Sequence, residues 1–164
     1  MSFDVFLARF VDGDPAEVNR GAVRNVLESV AHGPADEFGF YVIEFPDGTQ
    51  VDFSASGLDR SEDFTTCAFH IGGSGIGDHL VKFIFDVAKA GGMVILVPMD
   101  ELVVMLTAPE QGNHLPADVL ENKPELVPCG SELELAAVLS RGYEGWSKYR
   151  DFVVGDAGHA DGQA

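Results

Sequence analysis

The sequence predicts an α+β domain in which an antiparallel or mixed sheet of about six strands is covered by two main helices. Two observations lead to this class. Short apolar runs bounded by turn residues are typical of strands, and two longer stretches repeat their apolar residues at helical spacing. Their order along the chain is β-α-β-β-β-α-β-β, followed by further helix, which favours a sheet with helices packed on it.

The first strand is predicted at residues 3–10, which are rich in Phe and Val. The first helix is expected to open at Asp14, whose carboxylate would cap it, with Pro15 at the first helical position. Apolar residues then recur at helical spacing and form one face. This part of the chain therefore predicts a strand followed by an amphipathic helix.

Three strands and a central helix follow. Residues 38–45 and 50–55 are predicted to form a hairpin around the turn at residues 46–49, and residues 64–71 the next strand. The second helix, residues 78–90, is apolar around most of its circumference. We expect it to be deeply buried.

The last third of the chain predicts two strands and a helix. The strands are residues 93–98 and 102–107. The second carries no charged residue, so we expect it in the centre of the sheet, with pairing across a homodimer as the alternative. Ser131 is expected to open the last helix with a capping box, and Gly142 to close it.

Length and cysteine content predict one cytoplasmic domain with a tail. A domain over residues 1–154 suits a chain of 164 residues, and the small polar residues after it predict a disordered tail at residues 155–164. Cys67 and Cys129 are too few for a disulfide scaffold, and no apolar run is long enough to span a membrane. These features are typical of the reducing bacterial cytoplasm.

The net charge of the chain limits the classes of molecule that it is expected to bind. The chain has 27 acidic and 10 basic residues, a formal net charge of −17. Such a surface repels phosphate backbones and anionic lipids, so neither nucleic acid nor membrane is expected as a partner. A solvated acidic surface is the plain interpretation, and a basic protein partner is the functional alternative.

The glycine-rich segment 72–77 lies between a predicted strand and a helix, which is the arrangement of a phosphate-binding loop. Its spacing departs from the known motifs, because Asp78 stands where G-x-G-x-x-G needs Gly and where the P-loop needs Lys. The favoured interpretation is a flexible connection before a helix capped by Asp78. The candidate ligand-loop residues are Gly72, Gly73, Ser74, Gly75 and Gly77, with His70 and His79 beside them.

No pattern in the chain predicts catalysis, a metal or a cofactor. Cys67 and His70 are three apart on a predicted strand and would point to opposite faces. Cys129 precedes a helix start, which would favour a reactive thiolate, but a structural cysteine is the better interpretation. Carboxylates around the hairpin, Glu44 and Asp52 among them, are expected to be solvated. No catalytic or metal-binding residue is therefore nominated.

An aromatic and basic patch lies near the carboxyl end of the chain. Tyr143, Trp146 and Tyr149 alternate there with Lys148 and Arg150. Aromatic and arginine side chains are enriched at interfaces, so these three aromatic residues are the interface candidates. The alternative is a lid on the hydrophobic core.

Four segments resemble a set of small uncharacterised bacterial proteins: residues 1–7 (Met-Ser-Phe-Asp-Val-Phe-Leu), 38–39, 114–116 and 129–135. Some proteins of similar build resemble immunity proteins, which neutralise bacterial toxins by binding them. The resemblance implies a non-catalytic binding or immunity-like protein that acts through its acidic surface. The alternative is a small-molecule-binding protein or enzyme that uses residues 72–77. Monomer and homodimer both stay open.

Overall fold

The computed structural model describes residues 2–59 and 63–163, with only the backbone described for residues 154–163. The strands are β1 Phe3–Ala8, β2 Phe10–Val11, β3 Asp14–Pro15, β4 Phe40–Glu44, β5 Gln50–Ser54, β6 Thr66–Ile71, β7 Val94–Val97, β8 Val103–Leu106 and β9 Glu125–Pro128. The helices are α1 Arg20–Glu28, α2 Asp78–Gly91, a 3₁₀ helix Pro109–His114, α3 Ala117–Glu121 and α4 Glu132–Gln163. The predicted α+β class is confirmed.

Seven strands form one mixed sheet in the order β4-β5-β6-β1-β7-β8-β9. Neighbouring strands are antiparallel except β8 and β9, which are parallel. The uncharged strand predicted at residues 102–107 is β8, and it lies between β7 and β9. Its central place is therefore confirmed. Val103, Val104 and Met105 are all buried, so both faces of β8 are covered.

One face of the sheet packs against α1, α2 and α4. Helix α2 lies between the other two, and its Leu80, Ile84 and Val87 are fully buried, as its apolar circumference predicts. The rings of Phe53 and Phe69 stack with their centroids 4.9 Å apart. This aromatic layer joins the sheet to the central helix.

The other face of the sheet is covered at one end by the 3₁₀ helix and α3. Val94, Val104 and Leu115 form a small buried cluster beneath them. Towards β4 and β5 the outward side chains are polar or partly exposed, as in antiparallel sheets with one wet face. The hairpin prediction is confirmed there: β4 and β5 pair around a turn in which Gly48 has a φ of +90°.

The predicted start of the first helix is wrong. Asp14–Pro15 pairs with β2 as a short strand, and Asn19 caps α1 instead. The intervening segment is held extended because the Val18 amide donates to the Phe64 carbonyl oxygen over 2.7 Å. This main-chain hydrogen bond to Phe64, just before β6, therefore outweighs the local capping pattern at Asp14.

The predicted end of the last helix is also wrong, although its start is correct within one residue. The Glu134 amide donates to Ser131 Oγ over 3.3 Å, so Ser131 does cap α4. Helix α4 then continues past Gly142. A Cβ at that position would lie 2.8 Å from Cζ of Phe3 and 3.3 Å from Sδ of Met99. Glycine stands here because the helix packs closely on β1, and it does not end the helix.

Helix α4 extends through Gln163 and so includes most of the segment predicted as a tail. The side chains of residues 154–163 and residue 164 lie outside the described residues, and the disordered tail at residues 155–164 stays a prediction. Across the part of the chain that the structure describes, no helix combines the length and the apolar character needed to cross a membrane.

Candidate functional site

The glycine loop, residues 72–77, is bonded to two neighbouring elements. Ser74 Oγ accepts a hydrogen bond from the Gln50 amide over 3.1 Å and lies 3.3 Å from the Gln50 carbonyl oxygen. The Tyr143 hydroxyl donates to the Gly72 carbonyl oxygen over 3.1 Å. Gly75 has a φ of +90°, a conformation that glycine adopts without strain. The loop is therefore a tight connection tied to β5 and α4.

A carboxylate of the protein, that of Asp47, lies beside the amino end of α2. Gly77 is the N-cap residue and no side chain caps the helix, so the predicted cap at Asp78 is wrong. The Asp47 carboxylate lies directly against Gly77, where a Cβ would collide with it. Hydrogen bonds from the Thr49 hydroxyl and amide hold the pKa of the Asp47 carboxyl below its ordinary value. A negative charge thus stands beside the glycine loop, where an incoming phosphate would approach.

The two histidines placed beside the loop lie on different parts of the molecule. His70 is on the outer face of the sheet, where its Nδ1 is 2.8 Å from Oδ1 of Asp4. His79 is on α2, with its ring nearly parallel to that of Phe45 at a centroid distance of 6.4 Å. The structure therefore does not bring these histidines together around the loop, and the ligand-loop hypothesis stays a prediction.

The three aromatic interface candidates divide into two groups. Tyr143 and Trp146 are half-buried and pack on the core, with the Tyr143 ring edge-on to Phe3 at 6.1 Å. Tyr149 is 61% exposed. The Arg150 guanidinium lies 4.9 Å from the centroid of the Trp146 ring. The lid interpretation fits the first two residues, and Tyr149 is available to a partner.

A cleft of about 850 Å³ lies between the amino end of β1, the turn from β7 to β8, strand β9 and helix α4. We call it the α4 cleft. Its aromatic wall consists of Phe6, Trp146 and Tyr149, with Met99 beside them. Phe6 is 38% exposed. Trp146 Nε1 is buried without a hydrogen-bond partner among the described residues.

The rim of the α4 cleft is acidic. Four of its lining residues are carboxylates and one is a cation, Arg141. Arg141 is itself 3.4 Å from Oε2 of Glu125. Asp100 and Glu101, in the turn between β7 and β8, have no ion-pair partner in the described part of the chain. The carboxylates of the rim are Asp4, Asp100, Glu101 and Glu125.

No sequence pattern groups the cleft residues. Residues 98–101 read only as a turn, and Asp4 and Phe6 as part of the first strand. One signal was present: two acids, Asp100 and Glu101, interrupt the most apolar part of the chain. Only the packing of α4 against β1 shows that they border a concave surface with Tyr149.

Both cysteines are buried, and their thiols keep their protons more strongly than an exposed thiol does. Cys67 and Cys129 are both free and buried. Burial raises the pKa of the Cys129 thiol to about 11, with a smaller contribution from Glu134, and burial also raises the pKa of Cys67. Among the described side chains, those of residues 2–59 and 63–153, no group of three or more His, Cys, Asp and Glu is placed to hold a metal ion.

Comparisons with protein families, with curated proteins and with solved structures find no match to this chain. The resemblance to toxin-immunity proteins is not tested by them and stays an expectation.

Proposed function

We propose that this protein is a non-catalytic binding protein that takes a basic protein partner in the α4 cleft. The observation that carries the proposal is the combination of a concave surface of about 850 Å³ with an exposed aromatic residue, Tyr149, and a rim of four carboxylates. Aromatic side chains supply a large contact area at low conformational cost, as they do at binding hot spots.

The charge of the rim favours a lysine-rich or arginine-rich partner. The free carboxylates of Asp100 and Glu101 attract cations, and the net charge of −17 speeds the encounter with a basic surface. A second copy of this chain would bring the same charges to the cleft, and like charges oppose that association. A partner of opposite charge fits better than self-association.

The immunity-like interpretation is one form of this proposal. An inhibitor of a basic toxin needs a complementary surface and no chemistry of its own.

Trp146 provides a direct test, because it is the single tryptophan of the chain and it lines the cleft. A short synthetic peptide of alternating Lys and Leu is the probe, and a peptide of alternating Glu and Leu is its charge-reversed control. We expect the Lys peptide to change the tryptophan fluorescence saturably and the Glu peptide to leave it unchanged. Added salt should weaken the binding.

Matched variants separate the cleft from the general acidity of the surface. Asp100→Asn combined with Glu101→Gln should weaken binding about tenfold, which corresponds to about 1.4 kcal/mol. The pair Glu110→Gln and Glu121→Gln removes the same charge outside the cleft and should have little effect. If both double substitutions weakened binding of the Lys peptide equally, the α4 cleft would not be the binding site. An absence of binding would also refute the proposal.

A further inference from the structure

A second concave surface lies between the end of α1, the turn from β4 to β5 and helix α2. Its volume is about 670 Å³. Ligand sites commonly enclose roughly 300–1,000 Å³, so this one has the size for a small molecule. We call it the α2 groove. It is lined by residues 29–31 and 44–46 and by His79, Lys82, Phe83 and Asp86.

The floor of the α2 groove is aromatic and rigid. Phe45 is 5% and Phe83 is 2% exposed, and their ring centroids are 6.0 Å apart. Phe83 also packs edge-on against Phe53, in the core. The accessible apolar surface of the groove is supplied by Val30, Ala31 and Pro46, which line it and are partly or fully exposed.

The rim of the α2 groove carries charges of both signs. Helix α2 places His79, Lys82, Phe83 and Asp86 on one face, since they are three and four residues apart. Lys82 Nζ is 2.8 Å from Oδ2 of Asp86 and 3.9 Å from Oε1 of Glu132, at the start of α4. The hydrogen bond to Asp86, with a smaller contribution from Glu132, raises the pKa of the ammonium group, which stays charged. Glu44 adds a second carboxylate at the end of β4.

We propose that the α2 groove binds a free α-amino acid with an apolar or aromatic side chain. The apolar side chain packs on Val30, Ala31 and Pro46. The carboxylate of the ligand contacts Lys82, and its ammonium group contacts Asp86 and Glu44. A ligand of one sign would meet a like charge on one side of the groove, whereas a zwitterion satisfies both.

The Lys82–Asp86 pair does not obstruct this binding. Both side chains reach solvent, Lys82 with 60% and Asp86 with 35% of its side chain exposed. Exposed pairs of this spacing contribute little to stability, so they can separate to contact a ligand. The site is independent of the α4 cleft and of the partner proposed for it, since the two share no lining residue.

The test is calorimetric titration of the full chain with L-phenylalanine and L-leucine. N-acetyl-L-phenylalanine, which lacks the cation, and phenethylamine, which lacks the carboxylate, are the one-charge analogues. We expect saturable binding of both amino acids and binding of each analogue at least about tenfold weaker. Glycine, which has no apolar body, should not bind measurably.

Two variants with a matched control complete the experiment. Lys82→Gln and Asp86→Asn should each weaken L-phenylalanine binding about tenfold. Lys148→Gln interrupts an equivalent pair on α4, where Lys148 Nζ is 3.0 Å from Oε1 of Glu144, and should leave binding unchanged. The proposal is overturned by no saturable binding at about 10 mM ligand, by equal binding of phenethylamine, or by equal effects of Lys82→Gln and Lys148→Gln.

Discussion

The glycine loop and the α4 cleft differ in what their polar groups contact. In the loop, Ser74 is bonded to Gln50, the Gly72 carbonyl oxygen accepts from Tyr143, and Gly77 abuts the Asp47 carboxylate. In the cleft, acidic side chains of the β7–β8 turn have no ion-pair partner in the described chain. A glycine-rich segment between a strand and a helix indicates a ligand site only when its polar groups are not already bonded within the protein.

The two regions also differ in how they are assembled. The loop is six consecutive residues, so its pattern is visible in the sequence. The cleft joins β1, the β7–β8 turn, β9 and α4, which are up to about 140 residues apart in the chain. The contiguous glycine motif therefore marks a segment whose polar groups are bonded within the protein, whereas the α4 cleft corresponds to no contiguous motif.

The largest effect on stability is expected at the wall of the α4 cleft. Gly142→Val should lower the free energy of unfolding by roughly 1–3 kcal/mol, because its Cβ would press on the buried ring of Phe3. Gly145→Val is the matched control, since a Cβ there has no neighbour within 4 Å. Urea unfolding followed by circular dichroism measures both. Equal stabilities would mean that α4 does not pack on β1 in this way.

A smaller effect is expected in the glycine loop. Gly75→Ala should cost about 1–2 kcal/mol, because the φ of +90° at this position strains a residue with a Cβ. Gly72→Ala should stay within about 0.5 kcal/mol, since its Cβ meets nothing within 4 Å and its φ is not positive. Thermal or urea unfolding separates the two variants.

The same pair of variants sharpens the functional comparison. If the loop only connects β6 to α2, neither substitution changes the binding of the Lys peptide to the α4 cleft or of L-phenylalanine to the α2 groove. If Gly75→Ala lost either interaction at an unchanged melting temperature, the loop would again be a candidate binding site.

The smallest expected effect is on the pH dependence of the unfolding free energy. It arises from Cys129, just before α4, and is negligible at neutral pH. Its folded pKa of about 11 lies above the ordinary value, so the unfolded chain loses the thiol proton first as pH rises. The stabilisation is complete below the ordinary pKa and declines between about pH 9 and 11. Cys129→Ala should therefore flatten the fall of the unfolding free energy over this range. An unchanged slope would contradict the assignment.

Local pattern was sufficient for much of the fold. The hairpin of β4 and β5, the buried character of α2 and the interior place of β8 all followed from residue type and spacing. These features depend on interactions among residues that are close in sequence, or on burial, which the spacing of apolar residues indicates directly. Strands and central helix were accordingly predictable within a few residues.

Tertiary contacts decided the rest. The Val18 amide bonded to Phe64 moved the start of α1 from Asp14 to Asn19, and the ring of Phe3 made Gly142 part of a continuous helix. Gly77, rather than Asp78, is the N-cap of α2, and the Asp47 carboxylate lies beside it. In each case a partner from a distant part of the chain outweighed a local preference of about 1 kcal/mol. Both concave surfaces arise in the same way, because they exist only where separate elements meet.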